Sequence, residues 1–142
     1  MKVIAIGADH RGFEHKEWIK KQMTDISFLD VGAYNAERSD YPVFSHAVCH
    51  AIKEGKATEG ILICGTGVGM AITANRYPGI YAALVWNDAV ATQSKMHDNA
   101  NVLVLPSDFI SESYSVEIIR AWFSAYFLGG RYEQRVAMID NL

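Results

Sequence analysis

The stretch Gly60-Ile61-Leu62-Ile63-Cys64-Gly65-Thr66-Gly67-Val68-Gly69-Met70 decides the architecture. Ile61-Leu62-Ile63-Cys64 is an unbroken apolar run, the pattern of a strand covered on both faces, and the glycines after it make a tight turn into a segment of helical spacing. Outward from it the same order of apolar run, polar or glycine-bearing turn and helical segment repeats. Strands are predicted at residues 2–7, 27–31, 60–64, 80–86 and 101–105. Helices are predicted at 13–24, 42–54, 68–77, 89–97, 111–128 and 131–140. Pro42 suits a first helical turn, and Gly55 and Gly129 fall where helix C-caps belong. The expectation is an α/β fold: a single three-layer α/β/α Rossmann-like domain over 1–142, with a five-stranded, mostly parallel sheet and a C-terminal helical extension.

Composition agrees with that reading and removes several classes of function. The chain has 142 residues, close to one domain, with 50% apolar and 20% charged residues, enough to bury a core and too little charge for disorder. Net charge is −3 and no basic run exceeds Lys20-Lys21, so no nucleic-acid partner is expected. Two cysteines, Cys49 and Cys64, are too few for a disulfide framework. The apolar start Val3-Ile4-Ala5-Ile6 is too short for a signal peptide, and the longest apolar run, 80–86, is too short for a membrane span. A cytoplasmic protein with reduced thiols and no membrane partner is expected.

Ligands of an open parallel sheet bind outside the carboxyl ends of its strands. Those ends carry Asp9-His10, the turn 64–69, Asn87-Asp88 and Ser107-Asp108. Gly65, Gly67 and Gly69 let backbone amides crowd toward an anion at a helix N-terminus, or else simply make a tight turn. The turn lacks the Lys-Ser/Thr of a nucleotide-phosphate loop, and its G-x-G-x-G spacing is a poor dinucleotide fingerprint even with Asp88 as the acidic residue. Cys64 is either a small buried hydrophobe or a thiol whose pKa the helix N-terminus lowers toward a useful base. Asp9 either caps the following helix or, with His10, handles protons on hydroxyl groups. His97 near a helix C-terminus complements the dipole unless a ligand calls on it. Arg131 and Arg135, four apart, share a helix face and either fork onto one phosphate or stay solvated. His46 and His50 lack a third metal ligand and read as a surface feature, and Cys49 reads as core. Tyr41, Trp86 and the aromatic stretch Trp122, Phe123, Tyr126, Phe127 read as core or subunit interface, with Tyr41 also placed to wall a pocket.

Taken together, Gly7-Ala8-Asp9-His10-Arg11-Gly12-Phe13, Asp30-Val31-Gly32, Ser39-Asp40-Tyr41-Pro42, the 60–70 stretch, Ala74-Asn75-Arg76, His97, Asn101-Val102-Leu103, Gly129-Gly130-Arg131 and Arg135-Val136 resemble the type B ribose-5-phosphate isomerases and their galactose- and allose-6-phosphate isomerase relatives. The resemblance spans almost the whole chain. It implies an aldose–ketose isomerisation through an enediolate, without metal or organic cofactor. It implies Cys64 as base, with Thr66 and the amides of Gly65, Gly67, Val68 and Gly69 holding the oxyanion. Asp9 and His97 would serve ring opening and hydroxyl binding, and Tyr41, Asp98 and Asn99 would line the sugar. His10, Arg131 and Arg135 would grip the phosphate. It also implies a homodimer or tetramer in which a neighbouring subunit supplies the His97 region and the C-terminal arginines. Met70 stands where another branch of the family has a glutamate base. Two departures are His97-Asp98-Asn99 in place of His-Asn-Asp, and Asp108 where many members carry an arginine near the phosphate, which removes one phosphate cation. A six-carbon sugar-phosphate isomerase and a non-catalytic phosphate-binding subunit are the alternatives.

Overall fold

The structure, a computed structural model, describes residues 2–142. Five strands and six helices follow one another as β1 (Val3–Ala8), α1 (Phe13–Gln22), β2 (Ser27–Asp30), α2 (Tyr41–Lys53), β3 (Glu59–Cys64), α3 (Val68–Ala74), β4 (Ala82–Leu84), α4 (Asp88–Asp98), β5 (Val102–Pro106), α5 (Glu112–Ser124) and α6 (Arg131–Ala137). The strands form one sheet in the order β2-β1-β3-β5-β4, and every pairing is parallel. This is the expected Rossmann-like α/β/α arrangement.

Period-two alternation explains the three layers. Ile4, Ile6, Ile61, Ile63, Leu103 and Leu105 face α1, α4 and α5 through Ile19, Ala91, Ile118, Ile119 and Trp122. Ala5, Leu62, Cys64, Val102 and Val104 face α2 and α3 through Val48, Cys49, Met70 and Ala74. With both sides covered, an unbroken hydrophobic strand is the only economical sequence. Cys49 is fully buried in the second layer as expected, and burial pushes its thiol up to about 12.

Several element ends differ from expectation. β4 was expected over 80–86 and is only three residues long. Asn101 takes over its start, accepting from Tyr81 N at 2.8 Å and donating to Gly79 O at 2.9 Å. Asn75 covers its outer edge, accepting from Ala82 N at 2.8 Å and donating to Ala82 O at 2.9 Å. Such a short, side-chain-capped edge offers no ladder to another chain. The helix expected over 111–128 ends at Ser124, and Ala125 turns extended. Gly129 therefore caps nothing: it and Gly130 form the positive-φ turn into α6. Gly55 does what was expected of it. At φ +76° it closes α2 with bonds from Gly55 N to Ile52 O, 3.1 Å, and from Lys56 N to Ala51 O, 2.9 Å. The helices expected at 13–24, 68–77 and 131–140 stop at Gln22, Ala74 and Ala137, and α4 gains one residue at each end.

No helix among the described residues is long and apolar enough to cross a membrane.

Candidate active site

β1 and β3 are neighbours, so their carboxyl ends bring Asp9 beside Cys64. A cleft of about 360 Å³ opens there, lined by Asp9, Arg11, Tyr41, Cys64, Thr66 and the glycine turn. Larger clefts occur elsewhere, such as the one of about 410 Å³ bounded by Lys2, Asp25 and Arg120, which has a carboxylate but no thiol among its described lining residues. Tyr41 walls it, as its position suggested. A Cβ at Gly69 would stand 2.5 Å from the Tyr41 ring, so glycine is what lets the aromatic close over the turn. Gly67 has φ +79°, the left-handed region that favours glycine at the start of α3, and a Cβ there would also crowd the end of the Leu84 side chain at 2.4 Å.

Cys64 is 5% exposed. Burial pushes its thiol above the ordinary value; the N–H groups of Met70 and Gly67 pull downward, the Asp9 carboxylate adds to the upward push, and Thr66 N–H opposes it. The expectation of a lowered thiol pKa is thus reversed in the isolated chain: desolvation outweighs the turn's amides. Those amides still point at the sulfur. Thr66 Oγ1 accepts from Val68 N at 3.2 Å, which shapes the turn.

Asp9, also 5% exposed, does not cap α1, whose N-cap is Gly12 with no side-chain bond; its carboxylate instead holds the turn that leads into the helix. Its Oδ1 accepts from Arg11 N at 3.0 Å and Gly12 N at 3.1 Å, leaving Oδ2 for another partner. His10 is fixed by Ser39, whose N–H donates to His10 Nδ1 at 3.2 Å while its hydroxyl accepts from His10 N at 3.1 Å. A neutral His10 ring so held carries its proton on Nε2. The segment bearing Ser39 is anchored in turn by the buried Lys16, which donates to Asp30 at 2.7 Å and Ala33 O at 2.6 Å. Sequence reasoning gave no role to Lys16, Ser39 or Arg11, although the last two lie in quoted motifs.

His97, Asp98, Asn99, Arg131 and Arg135 are not brought to this cleft. α4 leaves the carboxyl end of β4 and, with 11 residues, runs about 16 Å back toward the other end of the sheet. At that far end His97 stacks on Tyr132 with ring centroids 4.5 Å apart and planes 7° from parallel. Arg131 and Arg135 lie over the same ring at 5.0 and 5.7 Å. Leu128 N bonds Met96 O at 3.1 Å, fixing α6 beside α4. Asn99 closes α4 in the left-handed region, φ 53°, with N bonded to Lys95 O at 3.2 Å, and Asp98 is exposed beside it. Tyr132, a platform for one imidazole and two guanidiniums, was missed because an isolated aromatic in a polar helix carries no signal. His46 and His50 are exposed and share the Tyr77 hydroxyl, and among the described residues no group of three His, Cys, Asp or Glu could hold a metal ion.

Comparison with known proteins matches residues 4–139 to the ribose/galactose isomerase family. The chain is 39% identical to ribose-5-phosphate isomerase B of Escherichia coli (strain K12), over 100% of this chain and 97% of that one. It is 38% identical to D-erythrulose-4-phosphate isomerase of Pectobacterium atrosepticum, over 98% and 93%. A crystal structure of a ribose 5-phosphate isomerase from Thermotoga maritima superimposes with a TM-score of 0.97 at 42% identity, covering 99% of each chain.

Proposed function

The chain belongs to the ribose/galactose isomerase family, and from that premise we propose that it interconverts D-ribose 5-phosphate and D-ribulose 5-phosphate, without a cofactor, through an enediolate formed by Cys64. The observation that carries this reading is the cleft, where a thiol ends a buried strand with three backbone N–H groups aimed at its sulfur and a buried carboxylate alongside. The Cys64 thiolate takes the C2 proton, the electron pair moves onto the C1 carbonyl oxygen, the O2 hydroxyl proton passes to O1, and the thiol so formed returns its proton to C1 as the C2 carbonyl forms. Thr66 and the amides of Gly65, Gly67, Val68 and Gly69 hold the oxyanion, a role in which one donor is worth ~10²–10³ in rate. Asp9, through its free oxygen, manages the hydroxyl proton of ring opening. Tyr41 packs against the sugar, and His10 donates to the phosphate through Nε2–H.

A second copy of the chain supplies the rest. One protomer holds His97, Asp98, Asn99, Arg131 and Arg135 away from its own Cys64, and the forked donors of the two arginines suit a phosphate dianion. The reading is therefore a homodimer, or a tetramer built from it, with the site shared between subunits. The working compartment is the cytoplasm.

Isomerisation of ribose 5-phosphate by the wild type and by Cys64→Ala tests the proposal. Turnover by the wild type and a loss of at least ~10³-fold in kcat for Cys64→Ala are expected. Unimpaired Cys64→Ala removes the thiol from its role. A second reading, in which another sugar phosphate is the preferred substrate, is favoured by the 38% identity to an isomerase named for a four-carbon substrate. Erythrulose 4-phosphate, allose 6-phosphate and galactose 6-phosphate belong in the same assay, and a folded wild type inert on all of them overturns catalysis in favour of a phosphate-binding subunit.

A further inference from the structure

We propose that Asp140 is a positioning residue for substrate binding: it anchors the tail behind α6 and so holds Arg131 and Arg135 where a second copy's substrate meets them. The inference rests on the shared-site reading above. α6 has seven residues, well short of the roughly 12–15 below which an isolated helix is marginal in water. Val136 is its one buried side chain, so burial alone fixes neither its tilt nor its rotation. Its leading end is tied to α4 by the bond from Leu128 N to Met96 O and by the stack of Tyr132 on His97. The trailing end needs a tie of its own.

Asp140 supplies it. Past Ala137 the chain turns back through bonds from Met138 N to Arg135 O and from Ile139 N to Val136 O, both 3.0 Å, and brings the Asp140 carboxylate to the turn that precedes β4. There Oδ2 accepts from Gly79 N at 2.8 Å and from the Tyr81 hydroxyl at 3.0 Å, partners 61 and 59 residues away in the chain. The receiving turn is itself held. Asn101, just before β5, accepts from Tyr81 N at 2.8 Å and donates to Gly79 O at 2.9 Å, so both donors stand in one fixed arrangement. Rigidity thus passes from the sheet through Asn101 and Asp140 to the helix that carries the arginines. Ile139 and Asp98 line one cleft of about 380 Å³, which sets the tail against the end of α4 as well. A carboxylate on an arginine-bearing segment opposes phosphate binding by simple charge, and it also sits at the disfavoured end of the helix dipole. Any gain in substrate binding from Asp140 therefore runs through its two hydrogen bonds, which gives the effect a sign that charge alone does not produce.

Steady-state kinetics on ribose 5-phosphate, with inorganic phosphate as competitive inhibitor and Arg135→Ala as the reference variant, test this role. Asp140→Ala is expected to raise KM and the inhibition constant for phosphate together by ~10-fold, with kcat within about twofold because Cys64 and Asp9 stand at the other end of the sheet. Tyr81→Phe, which removes one of the two donors, should raise both constants by ~3-fold, and the double variant should be no worse than Asp140→Ala. Asp140→Asn keeps an acceptor oxygen and should recover most of the loss. A KM that falls or stays unchanged in Asp140→Ala overturns the proposal, since loss of the charge alone has that direction. A fall in kcat at unchanged KM overturns it as well, as does a KM rise that Asp140→Asn fails to reverse or that disappears at higher enzyme concentration, the mark of a weakened assembly. Inactivity of the wild type on every sugar phosphate, or an unchanged KM in Arg135→Ala, is the distinct failure of the proposed function itself and takes the inference with it.

Discussion

At Cys64 two opposing influences meet. Burial favours the neutral thiol, the amides of Met70, Gly67 and Thr66 favour the thiolate, and burial dominates. Since the base form is the thiolate, kcat/KM of the free enzyme is expected to rise with pH through the ordinary thiol range and beyond it. A pH–rate profile that declines above neutrality would remove Cys64 from the role of base. Stability has the opposite sign. Cys64 and Cys49 are both raised in the folded state, Cys49 from 9.0 to about 12, so the stability each contributes is complete below the ordinary thiol value and is lost as pH climbs toward the folded value. Sequence reading located Cys64 at the glycine turn but missed the balance between burial and amides. That balance depends on Met70 and the sheet beneath, not on spacing along the chain.

Elements were legible wherever hydrophobic period alone governs them. β1, β3 and β5 alternate between two cores and appear where the apolar runs stand. Ends were less legible, because side chains distant in sequence settle them. Asn75 and Asn101 take the hydrogen bonds that would have lengthened β4, and neither carries a local signal for doing so. Asn87, read as a strand-end candidate, is instead the N-cap of α4, its Oδ1 accepting from Val90 N at 2.8 Å. Asn87→Ala should cost about 1 kcal/mol, a Tm decrease of about 3 °C by thermal melting, with activity at 25 °C intact. A kcat change without a Tm change would mean that Asn87 acts at the site.

The whole molecule is organised around two polar clusters at opposite ends of the sheet: Cys64, Asp9 and Arg11 at the carboxyl end, His97, Tyr132, Arg131 and Arg135 at the other. If one copy completes another's site, mixing Cys64→Ala with Arg131→Ala, each inactive alone, should restore about a quarter of wild-type activity after subunit exchange, because half of randomly paired dimers hold one intact site. No recovery, with exchange verified by sedimentation of tagged chains, would place both groups in one protomer's site. The sequence by itself determined the layering, the parallel sheet, the glycine turn and the family, because these follow from local period, from glycine's backbone freedom and from contiguous motifs. Only the tertiary structure decided that burial outweighs the amides at Cys64, that Arg11 lies against Gly65, and that His97 and the arginines stand apart from the thiol. Those are distances and dielectric surroundings between residues far apart in the chain, which exist only once the sheet order brings β1, β3 and β5 together and the length of α4 carries His97 away.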